Sequence, residues 1–331
     1  VLHQRRGEGP LDKEESAMTE NSVGAEECSA LNAPDLTLES YPNRDVQLGP
    51  LHVQRALPIR ERRLVGPWCF LDRFGPVTFD GSRPMDVPPH PHIGIQTVTW
   101  VLEGEVLHDD SLGNEAMARP GGVNVMTAGR GIAHAERTPR QNSGRLDGAQ
   151  LWVALPDASR HVDPGFDGIA SVPAAELRGG IAQVFAGSLA GVTSPARHYG
   201  EIVGADVQVH AGGALEIDVE PDYEHAVLLL AGDCAFEGEP IEERTLYYLG
   251  PRRTSASFGS RTGARLLLIG GPPFPEQVLM WWNFVARTRD EIAAARSDWE
   301  DHRRFGEVSR YDGPRLDAPD LARFARPNPA S

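Results

Sequence analysis

Beyond residue 45 the chain is a succession of short apolar runs broken by Gly and Pro, the texture of strands joined by tight turns. Residues 46–53 and 65–70 read as short strands, and Gly75, Gly81, Pro84, Pro88 and Pro89 mark the loops between the strands. Residues 95–106 carry β-branched and aromatic side chains (Thr97, Val98, Thr99, Trp100, Val101), break at Glu103-Gly104 and resume through His108. Asp109-Asp110-Ser111-Leu112-Gly113-Asn114 is a dense turn cluster, and Pro120-Gly121-Gly122 is another that leads into a strand at 123–126. Many short strands with such punctuation predict an all-β barrel or sandwich.

The second half repeats this texture. Residues 226–232 parallel 97–104, Leu249-Gly250-Pro251 resembles the Pro120-Gly121 turn, and a strand follows at 265–269. A duplicated barrel is expected. One helix stands out near the C-terminus: Thr288-Arg289-Asp290-Glu291 is a capping box, and Ile292, Ala295 and Trp299 recur at helical spacing over about twelve residues. Residues 1–45 are polar and acidic with little apolar periodicity and are expected to be disordered, while the Pro-rich 312–331 reads as an extended tail. The predicted domains are therefore 46–160 and 161–311. The chain begins with Val, and Met18 is a candidate start.

The candidate chemistry lies in two short motifs. His90-Pro91-His92 and His134-Ala135-Glu136 each place two ligand-type side chains at i, i+2 in strand-like sequence. Residues two apart on a strand share a face, so facing strands would bring three imidazoles and one carboxylate together. Neutral His nitrogen and carboxylate oxygen suit Fe, Mn, Ni, Cu or Zn. His90 and His92 alone would read as hydrogen-bonded loop histidines; the second pair tips the balance toward a mononuclear metal site. Gly129 and Gly131 supply a tight turn that aims His134 inward. The second copy has no HxH and no HxE, only His225 after Tyr223-Glu224, so only the first barrel is equipped for metal.

Composition narrows the partners. A formal net charge of −15 argues against direct nucleic-acid contact and against anionic membrane surfaces. No apolar run approaches the roughly 18 residues of a membrane span. Cys28, Cys69 and Cys234 are three, far apart and without CxxC pairing, which disfavours a disulfide framework and points to a reducing, cytoplasmic setting. There is no G-x-S-x-G elbow, Walker loop or G-x-G-x-x-G after a strand, so hydrolase and nucleotide chemistry lack a motif.

Taken together, His90-Pro91-His92-x-Gly94-x-x-Thr97-Val98-Thr99, Leu102-Glu103-Gly104, His108-x-Asp110-Ser111-x-Gly113-Asn114 and the run Met126–Glu136 resemble the pirin family. The likeness spans about residues 45–310, dense before 155 and looser after it. It implies an all-β fold of two cupin (double-stranded β-helix) barrels in tandem with a short C-terminal helix. It also implies one metal in the N-terminal barrel, held by His90, His92, His134 and Glu136, with Fe(II) the first candidate and Mn, Ni, Cu or Zn the others. Some pirins resemble quercetin 2,3-dioxygenases, which implies a small enolic aromatic substrate such as a flavonol, with O₂ as co-substrate and Glu136 as the catalytic base. Others act as metal-binding regulators, which implies a protein partner instead. One departure is Gln96, where many pirins carry Glu and where other cupins place a carboxylate ligand.

The remaining residues have plainer readings. Arg130 is read as a salt-bridge partner for a nearby acid, and Trp100, Trp281, Trp282 and Phe284 as core. His108 either lines the cavity beyond the metal or caps the 110–114 turn. His52, His161, His198, His210, His225 and His302 have no partner at ligand spacing and receive no role.

Overall fold

The computed structural model describes residues 37–48, 51–81 and 84–321, so Met18, Cys28, most of the expected N-terminal arm and the end of the expected tail lie outside the described residues. Strand alternation organises what is described. On Ile95–Glu103, Val98, Trp100 and Leu102 face one way and Thr97, Thr99 and Val101 the other, and both faces are buried. A strand buried on both faces needs a layer on each side.

Two sheets close the first barrel. The larger runs in the order Gly165–Ile169, Val123–Thr127, Ile95–Glu103, Arg145–Ala154, Trp68–Thr78, Leu51–Leu57, Arg44–Leu48. The smaller runs Asp86–His92, Ile132–Arg137, Val106–Asp110, Glu115–Ala118. The second barrel repeats this order position by position: Glu39–Pro42, Thr245–Gly250, Glu224–Gly232, Ala264–Gly271, Val203–Val209, Gly180–Leu189, Ala174–Leu177, and opposite them Ala214–Asp218, Ser255–Gly259, Cys234–Phe236, Glu239–Ile241. The duplication read from the sequence is therefore a duplication of topology.

The two large sheets pack against each other, and one core joins the barrels. Trp68, Val98, Trp100 and Leu151 of the first meet Phe185, Leu228, Leu267 and Ile269 of the second. Each such Leu, Ile, Val or Phe is worth roughly 1.5–3 kcal/mol over the exposed state. Trp100 stacks on Phe185 with its indole N–H on Asp206, as a core residue should. The interior of the second barrel is apolar: the strands that correspond to the His90 and His134 strands contribute Leu215, Ile217, Ala256 and Phe258.

The expected domain limits differ from the observed pairing in three places. Chain entry begins before residue 45, since Glu39–Pro42 is a strand of the second barrel paired with Thr245–Gly250. The first barrel extends past 160, because Gly165–Ile169 pairs with Val123–Thr127. The segment after the second barrel returns to the first: Trp281, Phe284, Ile292, Trp299 and Phe305 pack on Ile93, Ala133 and Ala135. Composition marks where chain texture changes, whereas pairing depends on which sheet edge is in reach.

The predicted helix is Arg289–Glu300, twelve residues, with Thr288 at the N-cap, a complete capping box to Glu291, and Ile292, Ala295 and Trp299 buried. Beyond it the tail does not leave the surface at 312: the Leu316 N–H donates to the Pro89 carbonyl and the Trp299 indole to Leu316. No helix among the described residues is long and apolar enough to cross a membrane.

Candidate metal centre

Three antiparallel strands of the smaller sheet assemble the cluster. His90 pairs across from His134 and His92 from Ile132, with a bulge between His134 and Glu136. On the other side, Glu136 pairs with His108 and His134 with Asp110. Alternation then turns His90, His92, His134, Glu136, His108 and Asp110 into the barrel, while Ala133 and Ala135 face out. Those outward positions are small because Phe284 and Phe305 of the returning segment pack on them. Gly129 has φ +52°, and a Cβ there would lie 2.0 Å from the Val162 carbonyl, so the turn before His134 requires glycine. Arg130 pairs with Asp163, as expected, and is largely exposed.

The ligand atoms of His90, His92 and His134 lie within 4.8 Å of one another, and so do those of His108, His134 and Glu136. His134 is shared: three of the four residues named from the sequence form the first group, and the fourth, Glu136, falls with His134 and His108 in the second. Both groups, the ones found among the described residues, lie in the first barrel.

Hydrogen bonding sets which ring nitrogens are bare. His90 Nδ1 is 2.9 Å from the Pro88 carbonyl and His92 Nδ1 is 3.0 Å from the Asn283 carbonyl. A carbonyl only accepts, so each Nδ1 carries the proton. Burial holds His90 at about 4 and His92 well below the ordinary histidine value, so both rings are neutral and both Nε2 atoms are unprotonated. His108 Nε2 is 3.2 Å from Asp110 Oδ2, a carboxylate that can only accept, so that nitrogen carries a proton, and His108 Nδ1 lies 3.3 Å from His134 Nδ1. His134 is also pushed far down, first by burial and then by the neighbouring histidines, so its ring is neutral.

His92 Nε2 and His134 Nε2 are 3.1 Å apart. Two nitrogens at right angles on a first-row ion, each about 2.1 Å from it, are roughly 3 Å apart. By donor type and spacing, the site fits a metal.

Glu136 is buried, and burial raises its carboxyl above the ordinary range, while His108 and the Thr99 hydroxyl act the other way. Thr99 Oγ1 donates to Oε1 at 3.0 Å, which leaves Oε2 available. The opposing wall has a polar row and an aromatic row. Strand register places Asn124, Thr99, Gln150, Asp72 and Arg55 side by side across five neighbouring strands. One step along lie Phe166, Met126, Thr97, Trp152 and Phe70, with Trp152 stacked on Phe70 at 4.1 Å and edge-on to His92 at 5.0 Å.

Gln96 is not on this wall. It lies on the outer face of its strand, where its Nε2 donates to Thr127 Oγ1 and to the Arg197 carbonyl, and its Oε1 accepts from His198. The position noted as a departure from other pirins thus faces away from the cluster, because strand parity gives the inner face to Thr97 and Thr99. His108 neither caps the turn nor simply lines space: it links His134 to Asp110 and stacks on Phe166 at 4.6 Å. The signal for it was present, since His108-x-Asp110 repeats the i, i+2 spacing. The Asn283 carbonyl had no local signal, being 191 residues from His92.

A histidine and carboxylate cluster in the first of two tandem cupin barrels, with an apolar second barrel, defines a bicupin with one metal-capable barrel. The chain belongs to the pirin family: the pirin domain matches residues 50–153 and the pirin C-terminal cupin domain residues 204–306. A Pseudomonas aeruginosa protein provisionally named quercetin 2,3-dioxygenase is 43% identical over 274 residues, covering 82% of this chain and 87% of that one. A pirin-like protein of Caulobacter vibrioides is 37% identical over 267 residues, 78% and 92% of the two chains. The crystal structure of quercetin 2,3-dioxygenase from Acinetobacter baumannii superposes with a TM-score of 0.83 at 40% identity, covering 86% of this chain and 95% of that one.

Proposed function

We propose that this protein is a metal-dependent dioxygenase of the quercetin 2,3-dioxygenase type, acting on a flavonol or another small planar enol. The observation that carries the reading is the cluster of three neutral imidazoles beside a buried carboxylate, facing an aromatic wall. His90, His92 and His134 would hold one divalent first-row ion through their ring nitrogens, with Glu136 as the carboxylate ligand. Fe(II) is the first candidate, with Mn, Ni, Cu or Zn as the others. Such an ion would supply a Lewis acid and a redox centre for O₂ chemistry.

The protein side of the mechanism follows from the contacts. Phe70 and Trp152 offer a flat surface for a planar ring. Glu136 takes the enol proton at Oε2 while Thr99 holds Oε1, and a carboxyl raised by burial is a stronger base than an exposed one. Burial of the cluster, with His90 at 6% and Glu136 at 7% exposure, limits water at the reacting carbon and leaves these two as its accessible side. The ring-opening reaction with O₂ then proceeds on the enolate. The names of the Pseudomonas and Acinetobacter relatives support the same reaction. We place the protein in the cytoplasm, where Cys69 and Cys234, both free, would stay reduced.

The same low exposure favours a second reading, a metal-binding regulator that acts through a protein partner. Oxygen uptake by metal-loaded protein across a panel of flavonols and enols separates the two. Uptake that requires both substrate and metal supports the dioxygenase. Uptake no greater than that of the chelated protein for every substrate rules it out in favour of the regulator.

A further inference from the structure

On the opposite face of the strand that carries Thr97 and Thr99, a cavity of about 190 Å³ opens between the barrels. Val153, Leu155, Ile202, Phe274 and a set of prolines wall it, and His198 is the imidazole in its lining. The tautomer of that imidazole is determined. The Arg197 carbonyl can only accept, so the Gln96 amide nitrogen is the atom that faces it, at 2.9 Å. Gln96 Oε1 then faces His198 Nδ1 at 3.0 Å, and an oxygen there obliges Nδ1 to carry the ring proton. Burial holds His198 at about 4, so the ring is neutral at pH 7. His198 Nε2 is therefore a bare acceptor, buried and without a hydrogen-bond partner. The acceptor is sealed in the unliganded protein, so a donor in the cavity would reach it with a small shift of the His198 ring. An unmet acceptor of this kind costs about 1–3 kcal/mol, which that contact would recover.

We propose that this seam cavity is a second small-molecule site, separate from the histidine cluster, that binds a single-ring phenol with its hydroxyl donated to His198 Nε2. The volume is below the roughly 300–1,000 Å³ of sites for drug-sized molecules, which limits the occupant to about one ring. Phe274 and the flat faces of Pro67, Pro156 and Pro273 suit an aromatic body. The bare acceptor selects a donor: a phenol binds, whereas its methyl ether presents a second acceptor and is rejected. The proposal does not rest on the dioxygenase reading, since none of these residues belongs to the cluster.

The test is ¹⁹F NMR titration of the metal-loaded full chain with 4-fluorophenol and with 4-fluoroanisole, together with amide chemical-shift mapping. Saturable binding of the phenol is expected, at least about tenfold tighter than the ether, the ratio that corresponds to a hydrogen bond of about 1.4 kcal/mol. Shifted amides should lie at 153–155 and 199–202, not at 90–92 and 134–136. The variant His198→Phe should remove the preference for the phenol while leaving oxygen uptake at the metal centre unchanged. Equal binding of phenol and ether, shifts confined to the histidine cluster, or no saturation with the phenol would each overturn the proposal. The wild-type comparison decides the matter even if the variant does not fold.

Discussion

His92 Nε2 and His134 Nε2 stand 3.1 Å apart, and the other nitrogen of each ring is engaged, His92 Nδ1 by the Asn283 carbonyl and His134 Nδ1 by His108. Those contacts fix the ring orientations, which then need not be chosen if an ion binds.

The first prediction is loss of metal. His92→Ala and His134→Ala should each lower bound first-row metal from near one equivalent to a small fraction, measured by elemental analysis of the purified protein. A double variant that kept a full equivalent would place the metal elsewhere.

Glu136→Gln separates holding from reacting. Its amide keeps an oxygen and the size of the side chain but loses charge and basicity. Turnover should fall about 10²-fold or more, the range for a lost general base, while metal content falls much less. Unchanged oxygen consumption with a flavonol would remove Glu136 from the chemistry.

His108→Phe tests the link from His134 to Asp110. Phenylalanine keeps the stack on Phe166 but gives His134 Nδ1 no acceptor. Metal affinity should drop about 10–100-fold, the usual effect of losing an outer partner of a ligating histidine. Competition with a chelator of known affinity measures it, and wild-type affinity would mean that His134 does not depend on His108.

Phe284→Ala should act at a distance. Phe284 is fully buried against Phe305 and the outer face of the His134 strand, and its neighbour Asn283 anchors His92. A buried Phe→Ala change costs about 3–5 kcal/mol. Urea unfolding should show that loss, accompanied by weaker metal binding. Full stability with weakened metal binding, or the converse, would separate the two roles.

Stability should also depend on pH through His198 and His225, each held by burial at about 4 against an ordinary 6.5. The unfolded chain takes up these protons first, so it binds more protons than the native state between those values. Their contribution is complete above pH 6.5 and is lost as the pH falls from there through about 4. Replacing both with Gln should reduce the slope of the urea midpoint over that window relative to the parent. An identical slope would show that neither ring stays neutral in the folded state.

The sequence by itself determined what depends on neighbours along the chain. Alternation and turn chemistry gave the strands, and the resemblance carried by the 90–136 motifs named their closure into two barrels. The Thr288–Glu291 box set the start of the helix, and the spacing of His90, His92, His134 and Glu136 put each pair on one face of a strand. These are consequences of backbone geometry, which has a fixed period. Only the tertiary structure decided which groups complete the site. Gln96 could not be placed from spacing alone, because a strand buried on both faces has no polar side to reveal its parity; the fold turns it toward His198 and away from the cluster. The exchange of Glu39–Pro42 into the second barrel and the return of Trp281–Phe305 to the first followed from available sheet edges and exposed apolar faces, which no local pattern records. The Asn283 carbonyl reaches His92 for the same reason: a backbone acceptor has no side-chain identity to read, and only packing brings it there.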